Sequence, residues 1–113
     1  MSKKDITDLV QRLDAFEERL GVRIEALSAF EVKDEYSDDA DITVRGELHA
    51  VSGTNLANDL QLQISVYDAA GRVIQTDIDY IDSDSFFGFH TFEIKCSVAP
   101  GLAKKIRLVP KPS

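Results

Sequence analysis

The sequence predicts a mainly β fold, an antiparallel β-sandwich preceded by a single N-terminal amphipathic α-helix. Three observations carry this. Apolar residues recur at intervals of three and four over the first twenty positions. From Ile42 onward, short stretches alternate apolar and polar residues with a period of two. Groups rich in turn formers, such as Ser52-Gly53-Thr54-Asn55 and Asp68-Ala69-Ala70-Gly71, separate those stretches.

The helix is expected over residues 1–21. Ile6, Leu9, Leu13, Phe16 and Leu20 line one side, while Asp5, Asp8, Arg12, Asp14, Glu18 and Arg19 face water. Ser2 or Asp5 offers an N-terminal cap, and Gly21 a natural stop. A helix of this length is marginal alone, so its stripe must pack on its own sandwich or on a second copy of the chain.

The sandwich is expected over 22–113, in about seven strands. Val22 to Ser28 fits either a strand or a continued helix, and Phe30 and Val32 suggest a short strand. An acidic loop, Asp34 to Asp41, follows. Ile42, Val44, Leu48 and Ala50 alternate with polar residues, and Gly46 within them signals a bulge or a close backbone approach. Leu60, Leu62, Ile64 and Val66 mark the cleanest strand, joined through Gly71 to a strand from Arg72 to about Tyr80. Phe89 to Val98 places His90, Phe92, Ile94, Cys96 and Val98 on one face. Lys104 to Val109 forms the last strand, and Pro110 and Pro112 are expected to end the ladder.

At 113 residues, 43% of them hydrophobic and 29% charged, the chain suits one folded domain. Its single cysteine, Cys96, excludes an intrachain disulfide and a multi-cysteine zinc site. The net charge of −7 makes nucleic acid and anionic membrane poor partners. The basic residues Lys104, Lys105, Arg107 and Lys111 are not expected to form one continuous stripe. No apolar run reaches the length of a membrane span. The N-terminus lacks the apolar core of a secretory signal, so a cytoplasmic location is expected.

Little in the sequence supports catalysis. Cys96 and His90 lie about 20 Å apart along an extended strand, too far for a nucleophile and its base. The acidic loops offer oxygen ligands for calcium at Asp34, Asp38, Asp39 and Asp41 and again at Asp82 and Asp84, although neither run fits an EF-hand. Asp77 and Asp79 would share a face and repel each other unless something neutral or cationic intervenes. Phe86, Phe87 and Phe89 form the densest aromatic cluster, with Phe87 and Phe89 on one side and Phe86 on the other.

The run from Val44 to Val109 resembles the FxLYD-type domains, small bacterial and archaeal sandwiches of immunoglobulin-like arrangement. The resemblance rests on Val44-Arg45-Gly46-Glu47-Leu48, on Asn55, and on Ile64 to Ile74 across the central hairpin, with Phe92-Glu93-Ile94 in a later strand. It implies an immunoglobulin-like fold and a binding or accessory role, and brings no catalytic residues. The expected function is a non-catalytic protein-interaction or assembly module without a cofactor. Leu9, Leu13, Phe16, Leu20 and Phe87 are its candidate contact residues. The alternative is a calcium-binding sandwich.

Overall fold

The computed structural model describes residues 2–33, 35–51 and 53–113. Among them, eight strands form two four-stranded sheets, with one short helix. The first sheet contains β1 (Ser2–Asp5), β3 (Val22–Lys33), β4 (Ala40–Ala50) and β7 (Phe89–Val98), in the order β1-β3-β4-β7. The second contains β2 (Val10–Arg12), β5 (Leu60–Tyr67), β6 (Val73–Ile81) and β8 (Lys105–Pro112), in the order β2-β8-β5-β6. The fold is a β-sandwich. Its core joins Ile24, Ile42, Val44 and Leu48 of the first sheet to Leu62, Ile64, Val66, Ile106 and Leu108 of the second. These are the apolar positions that alternation assigns to one face of each strand.

The N-terminal segment departs from the sequence expectation. The helix α1 occupies only Asp14–Leu20, and the residues before it are two strands and a 3-10 turn at Thr7–Leu9. The physical reason lies in the edge of β3. β1 pairs antiparallel with it from Ser2↔Lys33 to Asp5↔Phe30, gaining a ladder that a marginal helix could not match. Asp5 then turns the chain, because its carboxylate accepts from both the Thr7 N–H (2.9 Å) and the Thr7 hydroxyl (2.7 Å). β2 continues into the other sheet and runs parallel to β8, from Val10↔Ile106 to Arg12↔Leu108. The sandwich is thus not wholly antiparallel, and Ser2–Asp5 and Val10–Arg12 add a strand to each sheet. Gly21 does stop the helix, in the left-handed conformation with φ of 70°.

α1 covers the part of β3 that β1 leaves unpaired. Glu17 is 4% exposed. Its Oε1 accepts from the Ile24 N–H at 3.0 Å and pairs with Arg12 Nη2 at 2.7 Å. One carboxylate therefore satisfies a sheet-edge amide and ties β2 to α1.

β3 is one strand of twelve residues, with a bulge between Glu25 and Ser28. Ala26 and Leu27 stand opposite Gly46 there, and Ala26 takes φ of 55°. The approach foreseen at Gly46 is real. A Cβ on it would lie 2.8 Å from Phe92 Cζ and 3.2 Å from the Glu25 carbonyl oxygen.

Pro110 and Pro112 do not end the ladder but lie within β8, opposite Leu62 and Leu60. A proline cannot donate, so these are non-hydrogen-bonded pairs whose nitrogens point to the β2 side. β8 keeps its bonds to β5 while its outer edge is blocked beyond the short β2.

All six long strands run between the same two ends. One end carries α1, the β4–β5 and β6–β7 connections and the C-terminus; the other carries the β3–β4, β5–β6 and β7–β8 connections.

Candidate functional site

The four residues of the expected helix face put forward as contacts, Leu9, Leu13, Phe16 and Leu20, are divided by the fold. Leu9 lies in the 3-10 turn and Leu13 caps α1. Leu9 and Leu20 pack against the core, while Phe16 stays on the surface beneath the Arg19 guanidinium, 5.9 Å from its ring centre. The stripe is spent mostly on the molecule's own interior.

Phe16 nevertheless belongs to an end of the sandwich rich in exposed apolar side chains. The β6–β7 connection there places Phe86 in the core at 3% exposure, with Phe87 at 79% and Phe89 at 53%. That division is the one alternation foresees. The backbone beneath the rings is fixed. Asp59 Oδ1 accepts from the Ser83 N–H and hydroxyl, each at 2.8 Å. The Gly88 N–H donates to the Thr54 carbonyl at 2.8 Å, and the Ala50 N–H to the Gly88 carbonyl at 3.0 Å. Phe89 stacks on His49, its register partner on β4, with ring centres 5.6 Å apart. Val51, also exposed, extends the patch towards Gly21, whose carbonyl accepts its N–H at 3.0 Å. Beside it, an open groove of about 400 Å³ runs between Val51 and α1, lined also by Arg12, Glu17 and Arg23.

The sequence pointed to Phe87 but missed Val51 and the His49–Phe89 pair. Their juxtaposition depends on the β4–β7 register, which no local pattern encodes.

The acidic residues proposed as calcium ligands are dispersed. Asp34 lies outside the described residues. Asp38 and Asp39 are exposed, and Asp41, the second residue of β4, accepts from the Ser97 hydroxyl at 3.1 Å. Asp82 Oδ1 caps the 3-10 turn at Ser83–Ser85 by accepting from the Asp84 N–H at 2.9 Å. Among the described residues, no group of three or more histidine, cysteine or acidic side chains is placed to hold a metal.

Cys96 is half-buried on the inward side of β7. Burial first, then the nearby Asp77 and Asp41 carboxylates, pushes its thiol up to about 11, so it stays protonated at neutral pH. Asp79 and His90 bridge the two sheets, Oδ2 to Nε2 at 3.0 Å. His49 Nε2 lies 3.0 Å from Glu47 and 3.2 Å from Glu25. Among the described residues, neither imidazole has a hydroxyl or thiol partner.

No protein-family model matches the chain, and no curated protein matches it. Among solved structures it aligns with a putative beta-galactosidase from Bacteroides fragilis at 18% sequence identity, with a TM-score of 0.47. The alignment covers 82% of this chain and 16% of that one, so this chain spans about a sixth of that protein's length. The likeness is too distant to bear on fold or activity. No helix among the described residues is long and apolar enough to cross a membrane.

Proposed function

We propose that the chain is a non-catalytic assembly module of immunoglobulin-like type, which contacts a second copy through the aromatic end of its sandwich. The observation that carries this reading is the exposure of Phe87, on a loop whose backbone is hydrogen-bonded in place, and of Phe89 at the start of β7. An aromatic ring held in water on a fixed frame forgoes about 1.5–3 kcal/mol of burial, which a partner surface restores. Pre-ordering of the frame lowers the cost of that contact. The Cys96 thiol, raised by burial, is not poised as a nucleophile.

Strand order supports the immunoglobulin-like reading. β3, β4 and β7 take the places of strands A, B and E, and β6, β5 and β8 those of C′, C and F. β2 then occupies the place of G, beside F but parallel to it. The Ile64–Ile74 motif that resembles the FxLYD family spans the β5–β6 hairpin.

The molecule's two shorter dimensions, 27 and 21 Å, limit an end-on contact to about 570 Å² per partner. That lies near the roughly 1,000 Å² total of a weak, transient interface. Sedimentation from 10 µM to 1 mM tests it. Wild type is expected to rise above its monomer mass of 12.5 kDa, and Phe87→Asp to remain there. A wild type still monomeric at 1 mM, or a variant that associates equally, would overturn the reading.

A further inference from the structure

The outer face of the second sheet forms a separate surface. Register sets its rows. Tyr80, Gln61 and Lys111 make the first, Ile78, Gln63 and Val109 the second, and Thr76, Ser65 and Arg107 the third. Tyr67 and Lys105 close the far side. Burial alternates strictly along β5 and β8 until the last residue of β8, which identifies these as the outward set. Tyr67 organises two of the cations, with Lys105 Nζ 5.5 Å and Arg107 Cζ 5.3 Å from its ring centre. Arg107 Nε also donates to Gln11 Oε1 at 3.2 Å.

No carboxylate stands in these rows, and among the described residues Lys105, Arg107 and Lys111 form no ion pair. The outer face of the first sheet is different. There Arg45 and Lys95 both meet Glu93, at 2.8 and 3.3 Å, and Arg23 meets Glu25 at 3.1 Å. The carboxylates of β6, Asp77 and Asp79, lie at the opposite parity. With the three cations set aside, twenty acidic residues face ten basic ones over the rest of the chain. The sheet has segregated its charge.

We propose that this face docks an acidic polypeptide segment in extended form. Its carboxylates meet Lys105, Arg107 and Lys111, and an aliphatic side chain between them meets Val109. Lys105 and Arg107, two residues apart on β8 with no anion between them, repel one another, so a bound carboxylate relieves that repulsion. From Lys105 to Lys111 the patch runs about 20 Å, the length of a six-residue extended segment. Screening confines its field to about 8 Å at physiological salt, so the acidic remainder does not cancel it locally. A long polyanion would overrun the patch and meet that remainder. Val109, standing between Arg107 and Lys111, favours a peptide over a sugar or a phosphate backbone.

The test uses the isotope-labelled full chain titrated with a decapeptide carrying glutamate at positions 2, 4 and 8, leucine at position 6 and serine elsewhere, so that these four share one face when extended, followed by amide NMR in 50 mM salt. Shifts are expected on β5, β6 and β8 alone. Arg107→Glu with Lys111→Glu should weaken binding at least tenfold, whereas Phe87→Asp should leave it unchanged, which separates this face from the aromatic end. If the double reversal does not fold, Lys105→Gln with Lys111→Gln is read instead, with at least a threefold loss expected. The proposal fails if 2 mM peptide causes no shift, if the shifts lie elsewhere, or if the charge variants bind as well as wild type. It fails equally if a lysine–leucine decapeptide binds as well, or if a thymidine dodecanucleotide or a heparin hexasaccharide binds the same amides more tightly.

Discussion

Replacing Glu17 tests whether a single carboxylate holds α1 against the open edge of β3. In Glu17→Ala two things are lost. The buried Ile24 N–H loses its acceptor at 3.0 Å, a cost of about 1–3 kcal/mol. Arg12 loses its partner, but its side chain is 36% exposed and can rehydrate. That loss is therefore nearer the ~0.5–1 kcal/mol of a surface pair than the cost of stranding a buried charge. The sum is about 1.5–4 kcal/mol, or roughly 6–16 °C in Tm for a domain of this size. Glu17→Gln separates the two contributions, because an amide oxygen still accepts from Ile24 while the ion pair is gone. It should cost about 1 kcal/mol. Urea titration followed by circular dichroism, with the slope checked for constancy, measures both. If Glu17→Ala costs less than 0.5 kcal/mol, or the two variants are equal, the clamp does not exist.

Two further outcomes are expected. Gly46→Ala should destabilise the fold by about 2–3 kcal/mol, since the new methyl meets the Phe92 ring and the Glu25 backbone; combining it with Phe92→Leu should cost less than the sum of the single changes, and strict additivity by denaturant titration would contradict this. The Cys96 thiol, raised to about 11 from 9.0, should alkylate about a hundredfold more slowly at pH 8 than a free peptide cysteine. The unfolded chain ionises first as pH rises, so the folded state loses this contribution between about pH 9 and 11, and a melting temperature that rises across that window would contradict the assignment.

Local chemistry settles much of this fold. Leu60 to Val66 alternates so cleanly that strand, faces and core residues all follow from it, and Asp68–Gly71 sets the turn that makes β5 and β6 neighbours. Phe89–Val98 is likewise a strand with the expected inward face. At the candidate site Phe86 is buried while Phe87 and Phe89 are exposed, as alternation suggests, but Phe86–Gly88 precede β7 and Gly88 takes φ of 93°, so the turn and not a strand sets that split.

What only the tertiary structure decided concerns partners distant in sequence. The spacing from Ile6 to Leu20 reads as one helix because periodicity cannot register the unpaired edge of β3, which captures Ser2–Asp5 as a strand. Pro110 and Pro112 read as terminators because their tolerance depends on which β8 nitrogens face β5. His49 reaches Phe89 only through the β4–β7 register. Three cations of β8 become one face only when β5 and β6 lie beside them without acids at the matching parity. The physical reason is common to all four. A side chain's neighbours along the chain fix its direction, whereas hydrogen-bond ladders between distant segments fix what it meets.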